Sequence, residues 1–141
     1  MAKASEITDE VVVCYAKHEF DPVETLDFIQ FPSFSRKWKR CALTDQDMRM
    51  LRILISMAPQ GPPVIKGSGG IRKIRFAPPK SNSGKRSGYR VCYLFSSPHG
   101  IVLLMRIYAK NEQDNLTHRQ LVELRQQAEE FERQLGKGPI H

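Results

Sequence analysis

Residues 69–90 read GGIRKIRFAPPKSNSGKRSGYR, with seven lysines and arginines and no aspartate or glutamate. Cations at this density stabilise an anion, and a lysine among them can also carry a proton. Side chains alternate along a strand, which puts Lys73 and Arg75 on one face and Arg72, Ile74 and Phe76 on the other. Arg90 alternates with Tyr89 and Val91, and Arg106, Tyr108 and Lys110 share a parity. If the neighbouring strands align, Lys73, Arg75, Arg90, Tyr108 and Lys110 line one concave face, rimmed by Lys85 and Arg86. Such a face suits a phosphodiester backbone with a stacked base. A solvated sheet face protected by lysines carries the same pattern, and the residues alone do not separate the two.

Other chemistries find little footing. No paired carboxylates fall in the basic region, and no Ser/His/Asp order is apparent. The glycines of KGSGGIRK suggest a phosphate loop, but a Walker loop is GxxxxGK[ST] between a strand and a helix. Here SGKRS follows a strand, lacks the first glycine and the hydroxyl residue after lysine, and runs into another strand. Cys14, Cys41 and Cys92 form no CxxC pair, and an odd number argues against a disulfide framework. His18, His99, His118 and His141 lack ligand spacing, so no metal or other cofactor is expected.

The 141 residues have ordinary globular composition, 40% hydrophobic and 26% charged, enough for one domain with a real core. Net charge is +7, unevenly placed. Residues 48–111 hold twelve bases and no acid, residues 1–47 nine acids and six bases, and residues 112–141 six acids and four bases. A positive field in mid-chain attracts polyanions, of which nucleic acid is the commonest in a cytosol. The longest apolar run, VVVCYA at 11–16, is too short for a membrane span or a signal-peptide core. A cytoplasmic protein without a membrane partner is expected.

The elements that must position these cations follow from periodicity. Residues 1–26 read as an N-terminal extension of unknown role, 27–136 as the folded domain and 137–141 as a frayed tail. LDFIQFP predicts a first strand ended by Pro32. SFSRKWKRCAL predicts a helix capped by Ser33 or Ser35. TDQD at 44–47 is a capping box before a second helix, with Met48, Leu51 and Ile55 on one face and Leu54 beside them. A Pro/Gly loop follows, then strands at 71–77, 89–96 and 101–110, the last two joined as an antiparallel hairpin by Ser-Pro-His-Gly. Thr117 with Gln120 is a second capping box. Leu121, Leu124, Ala128, Phe131 and Leu135 give the closing helix its apolar stripe. The predicted class is α+β: a strand and two helices, an antiparallel sheet of three to four strands, and a C-terminal helix.

KGSGGIRKIRFAPPKSNSGKRSGYRVCYLF, followed by IYAKNEQDNLT and a helix, resembles the RelE/HigB toxins of bacterial type II toxin–antitoxin systems, the HigB-like branch in particular. That branch carries a G-[ST]-GG-[IL]-RKIR element, a basic loop, a G-x-R-x-x-Y-x-[LF] strand and I-Y-x-K-N-E. The resemblance spans about residues 28–135. It implies a RelE-like fold and a metal-independent ribonuclease that cuts mRNA in the A site of the 70S ribosome and so blocks translation. The 2′-hydroxyl attacks the adjacent phosphate, leaving a 2′,3′-cyclic phosphate and a 5′-hydroxyl. The family's two strand lysines fall on Lys73 and Arg75, its strand arginine on Arg90, and its basic residue at the hairpin end near Lys110. A lysine crowded by cations has its charged form disfavoured, which suits Lys73 to the base role. Arg75 and Arg90 clamp phosphate. Lys110 or Tyr108 protonates the leaving oxygen, unless Tyr108 stacks on a base. Arg72, Lys80, Lys85, Arg86 and Arg106 are assigned to RNA binding around this centre.

The chain departs from some relatives at Asn111, where they carry arginine, and at Thr117 and His118, where they carry tyrosine. The resemblance also implies a helix-turn-helix antitoxin partner, and the free toxin is expected to be a monomer. Two other readings compete: a ParE-like toxin that poisons gyrase, and a non-catalytic module that binds RNA or ribosomes.

Overall fold

A computed structural model describes residues 26–78 and 88–137. The N-terminal extension with its VVVCYA run, the loop carrying Lys80, Lys85 and Arg86, and residues 138–141 lie outside the described residues. The order is β1 (Asp27–Gln30), α1 (Pro32–Arg40), α2 (Asp45–Met57), β2 (Arg72–Phe76), β3 (Tyr89–Ser96), β4 (Ile101–Ala109) and α3 (His118–Lys137). The fold is α+β.

The four strands form one sheet in the order β1-β4-β3-β2. β2, β3 and β4 are antiparallel. β1 differs from the all-antiparallel expectation, because it joins the edge parallel to β4, pairing Asp27 with Ile101 and Gln30 with Leu104. The return through α1, α2 and β2 leaves that edge of β4 open to a parallel partner. β3 and β4 are central and buried on both faces, which explains their nearly continuous apolar sequences.

Each face of the sheet has its own core. On one, Phe34 and Trp38 of α1 and Met48, Leu51 and Ile55 of α2 pack on Phe76, Val91, Tyr93, Val102, Leu104 and Ile107. Trp38 stacks between Phe34 and Phe76, each ring centroid 5.9 Å away. On the other, Leu124 and Ala128 of α3 pack on Ile71, Cys92, Leu94, Leu103, Met105 and Tyr108. Leu54, expected beside the buried stripe of α2, is 42% exposed.

The helix ends follow local chemistry, with one exception. Thr44 and Asp47 exchange side-chain bonds with each other's backbone N–H at 3.0 and 2.9 Å, completing the expected capping box of α2. α1 begins without a serine cap: Phe31 stands at the N-cap and Pro32 at the first helical position. Proline has no N–H there to satisfy and its fixed φ suits the first helical position, so the helix starts one residue before the serine. Ser35 instead donates to Gln30 Oε1 at 2.8 Å. No described helix is long and apolar enough to cross a membrane.

A candidate anion-binding face on the sheet

Strand register assembles the cations in rows. Arg75 on β2 pairs with Arg90 on β3, which pairs with Tyr108 on β4. In the next row Lys73 pairs with Cys92, and Cys92 with Arg106. Residues paired across a sheet share a face, and Cys92 and Tyr108 mark this one as the face that α3 covers at its other end. Lys110 follows β4 in an exposed turn and donates its backbone N–H to Gly88 O at 3.0 Å, at the rim of the face.

A β-bulge makes this arrangement possible. Cys92 pairs with Arg106 and Tyr93 with Leu104, which leaves Met105 as an extra residue on β4. Leu103 and Met105 pack with α3 before the bulge, and Tyr108 does so after it. Val102, Leu104 and Ile107 fill the opposite core. Strict alternation through the strand would have turned Arg106 and Tyr108 into that apolar core.

Side-chain environments differ within the rows. Tyr108 is 1% exposed, so its ring offers no face to a stacking base. Its hydroxyl finds no hydrogen-bond partner among the described residues. Burial, with the nearby Cys92, raises the Tyr108 pKa against the opposing pull of Arg90 and Arg106, and the phenol stays protonated at neutral pH. Burial also pushes the Cys92 thiol up to about 12, although Lys73 and Arg106 pull the other way. Cys92 is therefore a neutral spacer between two cations, not a thiolate. Lys73 Nζ donates to Asn115 Oδ1 at 3.3 Å. Arg106 lies toward the edge of β4, lining a cavity of about 130 Å³ with Lys37 and Arg40 of α1.

Arg72, assigned to RNA binding from its sequence position, belongs to the other side of β2. Its guanidinium donates to the carbonyls of Gln60 and Pro62 at 3.0 and 2.6 Å and holds the α2–β2 loop. Strand alternation is the reason, since Lys73 and Arg75 take the opposite face. The KGSGG element is also structural. The Ser68 side chain is fully buried and accepts the Ile71 N–H at 3.0 Å. Gly67, Gly69 and Gly70 take positive φ angles of 78°, 77° and 113° around it. The result is a tight turn that sets the start of β2.

Sequence reasoning missed the segment between β4 and α3. Glu112 Oε1 accepts the Ala109 N–H at 2.8 Å, and its carboxylate takes Lys37 Nζ at 2.9 and 3.1 Å. Both contacts, the backbone bond first, hold the Glu112 carboxyl below its ordinary value of 4.5. Glu112 thus ties this segment to α1. The signal was present as the last letter of I-Y-x-K-N-E, but its role depends on a lysine 75 residues earlier. His118 opens α3 in an exposed position. Among the described residues, no three His, Cys, Asp or Glu side chains gather as a metal site.

No family model matches the chain. Among solved structures it is similar to a mutant of the E. coli toxin RelE in the free state, at 12% sequence identity and a TM-score of 0.48, over 70% of this chain and 96% of that one.

Proposed function

We propose that this chain is the toxin of a bacterial type II toxin–antitoxin pair, a cytoplasmic endoribonuclease that cuts mRNA in the ribosomal A site. The observation that carries the reading is the two cross-strand rows, which gather Lys73, Arg75, Arg90 and Arg106 beside the protonated Tyr108. The four motif pieces that resemble the HigB-like branch, in order along the chain, support the choice of substrate. In the proposed reaction the Lys73 amine takes the proton of the ribose 2′-hydroxyl. The 2′-oxygen bonds to phosphorus, and the bond from phosphorus to the 5′-oxygen breaks. Arg75 and Arg90 neutralise the charge that builds on the phosphoryl oxygens. Lys110, exposed at the rim, gives the leaving oxygen its proton. The products are a 2′,3′-cyclic phosphate and a 5′-hydroxyl. Buried Tyr108 supports the rows from beneath rather than stacking on a base. A helix-turn-helix antitoxin restrains the activity.

The test is cell-free translation with purified protein, mapping mRNA 5′ ends by primer extension beside the same mRNA without ribosomes. Codon-phased cuts only in the translating reaction are expected, and they vanish in Lys73→Ala and Arg90→Ala proteins that remain folded. Intact mRNA in both reactions refutes the nuclease.

A further inference from the structure

Residues 113–120 connect the cation face to the start of α3 through one chain of hydrogen bonds. Thr117 Oγ1 accepts the Gln120 N–H at 3.1 Å, and Gln120 Oε1 accepts the Thr117 N–H at 2.9 Å. The same Oε1 accepts from Gln113 Nε2 at 2.9 Å. Gln113 Nε2 also donates to the backbone carbonyl of Asn115 at 2.7 Å. The backbone of Asn115 is therefore fixed from the helix cap, while its Oδ1 accepts from Lys73 Nζ at 3.3 Å.

The residue type fits a particular task. An amide oxygen orients an amine through one lone pair without adding a negative charge. An aspartate in the same place would hold the ammonium form and repel a phosphodiester. We propose that Asn115 is a positioning residue that aims the Lys73 amine at the substrate 2′-hydroxyl. This rests on the nuclease reading of the face, and the test separates the two.

The full chain and its Asn115→Ala and Asn115→Asp variants are labelled with trace acetic anhydride without RNA, and the acetylation of Lys73 is measured against Lys66. In Asn115→Ala the Lys73 rate rises roughly 2- to 10-fold, the size set by losing one hydrogen bond. In Asn115→Asp it falls below wild type. Unchanged labelling in both variants overturns the proposal, whether or not RNA is cut. In single-turnover cleavage on ribosomes, Asn115→Ala lowers the maximal rate roughly 10- to 100-fold, as misorientation of a reacting group does, with half-saturation unchanged. Weaker saturation at an unchanged maximal rate makes Asn115 a binding contact and overturns the proposal. Wild-type cleavage by Asn115→Asp refutes the requirement for a neutral acceptor. If wild type cuts nothing, the nuclease reading fails, and the labelling alone decides whether Asn115 holds Lys73.

Discussion

On the cation face, burial decides what Tyr108 can do, since only 1% of it is exposed. The parity of Lys73 and Arg75 followed from strand alternation, and so did the opposite placement of Arg72. Tyr108 shows the limit. Nothing in IVLLMRIYAK distinguishes a tyrosine at the surface from one sealed beneath α3 and the segment before it. The buried hydroxyl makes a sharp test. Removing a polar atom that lacks a partner among the described residues relieves its desolvation cost, so Tyr108→Phe is expected to raise stability by about 1 kcal/mol. If the hydroxyl serves the phosphate, the same variant cuts RNA roughly 100- to 1,000-fold more slowly, the cost of losing one preorganised donor. A chemical melt and a single-turnover assay on one preparation decide it. Lower stability would mean that the hydroxyl has a partner, and unchanged cleavage would remove it from the site.

Periodicity located every described element, with bounds shifted by a few residues. It missed what depends on distant partners. The parallel pairing of β1 with β4 and the staple from Glu112 to Lys37 join segments far apart in sequence, and the bulge at Met105 breaks the alternation on which the periodicity depends. The staple yields a prediction at this scale. The Glu112 carboxyl is depressed in the folded state, so its stabilising contribution is complete above the unfolded value near 4.5. That contribution disappears as pH falls through the lower folded value. Thermal melts of wild type and Glu112→Gln should therefore differ at pH 7 and converge in acid. A constant gap across pH would show that the carboxylate charge contributes nothing to the staple.

The molecule as a whole is electrically lopsided. Twelve bases lie in residues 48–111 without one acid, while both flanks are net acidic. Binding of an uncleavable, 2′-deoxy-substituted single strand should weaken steeply with salt, by a log–log slope of roughly 0.7 per phosphate contacted. Alanine at Arg75 or Arg90 should each flatten that slope by roughly 0.7, whereas alanine at Arg36, exposed on α1 away from the rows, should leave it unchanged. Fluorescence anisotropy across a salt series measures both. Equal flattening by all three would mean that net charge, not the face, binds the strand.

Strand β4 is two short strands spliced end to end with a half-step between them. Its first half keeps time with α3, and its second half keeps time with the cations of β2 and β3. The splice at Met105 lets each half hold its own phase. Tyr108 shares the α3 core with Leu103 and Met105, so a substitution that repacks that side of the first half is felt across the joint at Tyr108, while Arg106 owes its phase to the joint itself.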